Sequence, residues 1–189
     1  KSIIHELRLY DLPLLMIDFK DDYIEEQFLL EENINLVDVL KDGLPFNPLE
    51  PFISDKDNDF MAIEGILKVE QLLKRIFKLG DQQSNQLRKA MIEAFIRKGI
   101  NPQSLTNINE IGNFPTLNDV HNILLEDEKK HETLISRISL LFQLELFDKQ
   151  TDNKITFNEL MNGSYTIRLT RLPGNELKAA VAELLILAI

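Results

Sequence analysis

The chain contains no cysteine in its 189 residues. Disulfides and thiolate metal sites are therefore excluded, and a reducing cytoplasm fits. Histidine is scarce: His5, His121 and His131 stand at no metal-ligand spacing and read as ordinary helix-surface residues. No basic run occurs. Against 21 Lys and Arg stand 31 Asp and Glu, a net charge of −10. An acidic chain is not steered to nucleic acid by its overall field, so contact with DNA would need a local patch or further parts of a larger protein. No signal peptide is visible. The last stretch, 179 to 189, is apolar but shorter than the roughly 20 residues that span a bilayer, so no membrane is expected as a partner. No Ser/His/Asp order and no paired carboxylate stands out from the general acidity.

The apolar fraction, 44%, is enough for a proper core, and the length suits one large domain or one domain with an insert. The organising stretch is Leu12 to Tyr23. Leu14 to Ile17 is a continuous apolar run that suits a strand covered on both faces, as in a parallel sheet. It ends in Asp18 and Lys20, at the sheet edge where ligands of α/β folds sit. Before it, Lys1 and Ser2 open an amphipathic helix. Lys-Ser at a helix start is what remains of a phosphate-binding P-loop cut inside its motif, with the glycines before residue 1. The pair alone is what chance also supplies; the strand that follows gives it weight. The C-terminal Ala/Leu-rich helix stops without Gly, Pro, Asn or a basic last turn. Both ends are expected to be cuts through a larger protein.

In chain order, Ile3 to Tyr10 reads as helix and Leu12 to Phe19 as strand. Asp21 to Glu32 reads as acidic and solvated, with Tyr23, Ile24 and Phe28 on its apolar side. Val37 to Leu40 admits a strand or a helical turn. Pro45, Pro48 and Pro51 forbid helix and impose an extended connection. Asp55 to Asp59 reads as a polar turn. From Met61 the spacing turns helical, with Gly80 expected as a C-cap and Ser84 as the next N-cap. Pro102 to Pro115 reads as loop. Thr116 with Asp119 forms a capping-box pattern, and His131 to Leu146 is helical. Apolar stripes at helical spacing are core, and nothing in this segment looks catalytic. Tyr165 to Leu169 alternates and is rich in β-formers, and Leu172 to Asn175 is a turn.

Asp148 to Glu159 resembles an EF-hand loop, with acidic residues at positions one, five and twelve and Ile155 at eight. Gln150 and Asn153 depart from it, and no partner hand is found. Asp55, Asp57 and Asp59 start correctly, but Ile66 stands at position twelve. Calcium binding at physiological levels is not expected. Asp148 to Lys154 is expected instead to turn the chain out of the helical segment, with Ile155 and Phe157 leading toward the later strand.

Four features in fixed order carry a family resemblance. They are Lys1-Ser2 at a helix start, Leu14 to Lys20, Leu44-Pro45-Phe46-Asn47-Pro48-Leu49, and Ser164 to Pro173 followed by an Ala/Leu-rich helix. The order resembles the ATPase core of HerA/FtsK-type P-loop DNA translocases. The wording of the Leu-Pro segment and the helical insert look most like the ATPase subunit of phosphorothioation-dependent DNA restriction systems. The resemblance implies an α/β fold: a partial P-loop (RecA-like) parallel sheet interrupted by a mostly helical insert. Residues 1–60 would begin the ATPase core, 61–147 form the insert, and 148–189 return to the core before the Walker B strand. It implies ATP and magnesium as cofactors. Lys1 would contact the β/γ-phosphates and Ser2 the magnesium ion. Asp18 would sit near the nucleotide or a subunit edge, with Lys20 beyond it, and Arg168 and Arg171 would face a neighbour's nucleotide. The implied activity is a helicase-like DNA motor in restriction or defence, inactive as this stretch alone. Its implied partners are DNA, other restriction subunits and further copies in a ring, expected as a hexamer. The competing expectation is an EF-hand-like calcium-binding or helical interaction module.

Overall fold

A computed structural model describes residues 2–51, 58–147 and 155–189. Lys1, Asp55, Asp57 and the loop positions Asp148 to Lys154 lie outside the described residues. The chain forms two compact units, residues 1–46 with 146–178, and residues 47–145 with 179–189. The first opens with α1 (Ser2–Leu9), β1 (Leu15–Asp18), α2 (Glu26–Glu31), β2 (Asn35–Asp38) and α3 (Val39–Asp42). The second holds β3 (Asp59–Phe60), α4 (Ala62–Ile76), α5 (Asp81–Arg97), β4 (Thr106–Asn107), α6 (Leu117–Leu125) and α7 (Glu128–Gln143). The first then resumes with α8 (Phe157–Asn162), β5 (Tyr165–Arg168) and the start of α9 (Asn175–Ala188), whose residues from 179 on belong to the second unit.

In the first unit the strands form one parallel sheet in the order β1-β5-β2. The early and late strands expected from the sequence are thus direct neighbours: Leu15 pairs with Tyr165 and Asp18 with Arg168. On the other side Asn35 pairs with Tyr165 and Asp38 with Arg168. The α/β class and partial parallel sheet read from the sequence are the fold observed. Burial is distributed differently from expectation. The central β5 is the covered strand, with Ile167 fully buried, whereas Leu15, Met16 and Ile17 are half-buried because β1 has a neighbour on one side only among the described residues. Val37, Val39 and Leu160 are among the other buried residues of this unit. Leu44 N–H donates to the Leu146 carbonyl at 2.7 Å, and the Phe46 ring meets those of Phe147 and Phe157 at centroid distances of 5.2 and 5.8 Å.

Several local expectations give way to tertiary context. Val37 to Leu40 is both alternatives in succession, the end of β2 and the start of α3, with Asp38 as the N-cap. The acidic 21–32 segment contains α2, whose Phe28 is buried. Ile155 and Phe157 do not run as an extended lead to the strand. Thr156 and Glu159 form a capping box, and Phe157 starts α8. The helix ends at Gly163, where a side chain has no room: a Cβ there would stand 2.5 Å from the Tyr165 ring and 2.9 Å from the Glu159 carbonyl.

The second unit is built on α4 to α7. Ile66, Val69 and Leu73 of α4, Leu87, Met91 and Phe95 of α5, Val120 and Leu124 of α6, and Leu134, Ile138 and Phe142 of α7 are buried at helical spacing. Thr116 and Asp119 make the capping box expected for α6. The turn between α4 and α5 differs from expectation. Phe77 caps α4 and Gly80 opens α5 as its N-cap. Ser84 lies inside α5, and its buried hydroxyl bonds Glu70 of α4. The 102–115 stretch also contributes β4, which pairs antiparallel with β3. Asn47 explains its place in the proline-rich segment: its buried amide donates to the Pro115 carbonyl at 2.8 Å and accepts from Leu49 N–H at 3.1 Å.

Candidate functional site

The three strands of the parallel sheet end level, each in a charged residue: Asp18, Arg168 and Asp38 in one row. Identical register puts these side chains at one carboxyl edge, where α/β folds bind ligands. Asp18 is 2% exposed. Its carboxylate accepts the backbone N–H groups of Lys20 (2.9 Å), Asp22 (3.3 Å) and Tyr23 (2.9 Å). It therefore folds the loop leaving β1, as short acidic side chains do by bonding backbone a few residues on. Lys20 is exposed on that loop.

The same loop presents Asp21, with φ of 63°. Arg168 Nε and Nη2 donate to its two oxygens, each at 2.8 Å, and the Thr170 hydroxyl donates at 2.5 Å. This fork is the bidentate arrangement that matches guanidinium to carboxylate. It holds the Asp21 carboxyl below its ordinary range, first through Arg168 and then through Thr170, and raises Arg168 in turn. Asp38 is buried. Its Oδ1 accepts from Lys41 N–H at 3.4 Å, and its Oδ2 accepts from Arg171 at 2.8 Å.

The fold thus brings Asp18, Arg168 and Arg171 together, and adds Asp21, Asp38 and Thr170, which sequence reasoning missed. A signal for Asp38 was present: β1 reads Leu-Met-Ile-Asp and β2 reads Asn-Leu-Val-Asp, two strands ending alike. At the opposite edge, Arg8 of α1 donates to the Glu32 carbonyl (3.0 Å), the Leu12 carbonyl (2.9 Å) and the Ser164 hydroxyl (2.9 Å). The last turn of α1 is thereby fastened to the amino ends of the strands. Ser2 is the first residue of α1.

Elsewhere, His5 meets Glu32 at 2.9 Å. His121 stacks on Phe142 at 4.9 Å, and burial lowers its pKa. Among the described residues no group of three or more His, Asp or Glu is arranged to hold a metal ion, and no helix is long and apolar enough to cross a membrane.

No family model and no curated protein matches the sequence. Among solved structures, VirB4 of Thermoanaerobacter pseudethanolicus is similar, with a TM-score of 0.67 at 13% identity. The similarity covers 98% of this chain and 50% of VirB4, so the chain spans about half the length of that structure. At this identity the likeness is one of fold.

Proposed function

We propose that the chain is a section of an ATP-driven P-loop motor of the HerA/FtsK type, running from the phosphate-loop helix toward the Walker B strand. The observation that carries this reading is the level carboxyl edge of β1-β5-β2, two of whose strands, β1 and β5, are those that the ordered motifs single out. VirB4, similar in fold over nearly the whole chain, is itself a P-loop ATPase of that superfamily. The donor set at the edge suits phosphate oxygens better than a bare metal ion. The carboxylates of Asp18, Asp21 and Asp38 already accept N–H or O–H groups, while guanidinium groups stand beside them.

Magnesium-ATP, when bound, supplies the phosphoryl group whose transfer drives such a motor. Lys1 and Ser2 are the residues proposed to hold it, Lys1 at the phosphates and Ser2 toward magnesium. Asp18 shapes the loop at the edge of the site, and Arg168 and Arg171 give that edge its positive charge. The finer proposal is a DNA translocase of a restriction or defence system, working as a homo-oligomeric ring in the cytoplasm. Its support is the wording of the Leu44 to Leu49 segment and the helical insert.

The test is Lys1→Ala in the intact protein. Turnover of ATP is expected to disappear, because the ammonium neutralises charge on the transferred group. Unchanged hydrolysis would rule the reading out. The calcium-module alternative gains no support from Glu159. That carboxylate, the loop's twelfth position, accepts Thr156 N–H at 2.7 Å and the Thr156 hydroxyl at 2.8 Å, which holds its pKa below the ordinary value.

A further inference from the structure

Two arginines stand at the carboxyl edge, and their surroundings differ. Arg168 is spent. Its Nε is shared between Asp21 and Thr170, at 2.8 and 3.0 Å, and its Nη2 is bound to Asp21. Its side chain is 23% exposed. Arg171 lies three residues on, in the turn before α9, and its side chain is 51% exposed. One N–H, on Nη1, reaches Asp38 Oδ2 at 2.8 Å. Among the described residues its other N–H groups meet no acceptor. A guanidinium carries five donors in a planar fork, so this single bond leaves most of the fork open.

Asp38 is suited to aim that fork. It is buried at the end of β2 and fixed by its own turn. Its N–H donates to Asp42 Oδ2 at 2.9 Å, and its Oδ1 is occupied by Lys41 N–H. Oδ2 is the oxygen turned to the arginines, with Arg171 at 2.8 Å and Arg168 Nη1 at 3.8 Å. A rigid buried acceptor holding one N–H of a half-exposed guanidinium restricts its rotamers without using up its donors. That is the arrangement a pre-organised anion-binding arginine requires.

We propose that Arg171 is the residue of this edge that contacts phosphate oxygens of a nucleotide, that Asp38 is its positioning residue, and that Asp21, Arg168 and Thr170 form a strut that holds the edge. This rests on the ATPase reading above. It assigns different work to two arginines that the sequence presents as equivalent.

The experiment uses the intact protein. Asp38→Ser keeps an oxygen able to cap α3 and removes the carboxylate. Three quantities are measured: ATP turnover, thermal unfolding, and residue-by-residue modification of arginines by phenylglyoxal. Asp38→Ser is expected to lower kcat about tenfold while KM and the unfolding temperature stay close to wild type, the pattern of a lost transition-state interaction. Because coupled sites are non-additive, it should add nothing in an Arg171→Ala background. In the wild-type protein phenylglyoxal should label Arg171 faster than Arg168, and faster still after Asp38→Ser. Magnesium-ATP should shield Arg171.

Shielding of Arg168 alone overturns the inference. So does a loss of kcat on Asp38→Ser that persists undiminished in the Arg171→Ala background, or normal turnover by Arg171→Ala. If Lys1→Ala abolishes turnover in the same assays, any of these sinks the assignment of Arg171 and leaves the ATPase reading standing. Unchanged turnover by Lys1→Ala removes both.

Discussion

Asp18, Asp21 and Asp38 are three acids at one sheet edge with three different partners. Asp18 is satisfied by backbone N–H groups, Asp21 by a guanidinium and a hydroxyl, and Asp38 by both a backbone N–H and a guanidinium. The pKa of Asp21 is displaced downward, by Arg168 first and Thr170 second. A carboxylate depressed in the folded state contributes stability that is fully present above its unfolded pKa, near 3.8. That stability is lost as pH falls through the folded value. The Asp21 side chain is 35% exposed, so solvent screening limits the contribution to about 1 kcal/mol or less. Asp21→Asn is therefore expected to lower unfolding free energy modestly at pH 7, with the gap to wild type closing below pH 3.8. Urea unfolding at the two pH values checks this, and an equal gap at both refutes the ionic account. Asp18 was legible because it ends an apolar run. Asp21 was not, because its partner Arg168 is 147 residues away.

At the scale of elements, local signals succeeded where the hydrogen bonds they describe are themselves local. Thr116 and Asp119 are three residues apart and cap α6 as the pattern requires. Ser84 carries the same chemical signal and is used otherwise. Leu87, Met91 and Phe95 turn the inner face of α5 to the core, and Ser84 lies on that face. Its hydroxyl is thereby carried to Glu70 of α4, while the helix begins a turn earlier behind Gly80. Ser84→Ala should cost about 1–3 kcal/mol, because it leaves a buried carboxylate short of a donor. Adding Glu70→Leu should recover part of that, since replacing both partners removes the unsatisfied group. Urea unfolding of the single and double variants decides it. A double variant less stable than Ser84→Ala would mean that Glu70 contributes through Arg88, which stands 3.7 Å away.

At the scale of the whole molecule, the charge of −10 bears on the proposed DNA motor. Phosphate neutralisation by Lys and Arg supplies most non-specific affinity for DNA. This chain by itself is therefore expected to bind duplex DNA no more tightly than about 10⁻⁴ M at physiological salt. Fluorescence anisotropy with a labelled duplex measures this, and micromolar binding would mean that the chain carries its own DNA-contacting patch. Net charge, the α/β class, the helical middle and the two principal strands were determined by the sequence alone. Composition and periodicity act within a few residues and need no partner to be read. The tertiary structure decided that β5 lies between β1 and β2, that the proline-rich segment divides between two units at Phe46 and Asn47, and that Arg168 and Arg171 differ in freedom. The strand order and the difference between the arginines depend on pairs such as Asp18 with Arg168 or Asp38 with Arg171, which lie more than a hundred residues apart. The closure of so long a loop is driven by burial summed over the whole sheet, and no local stretch of sequence records it.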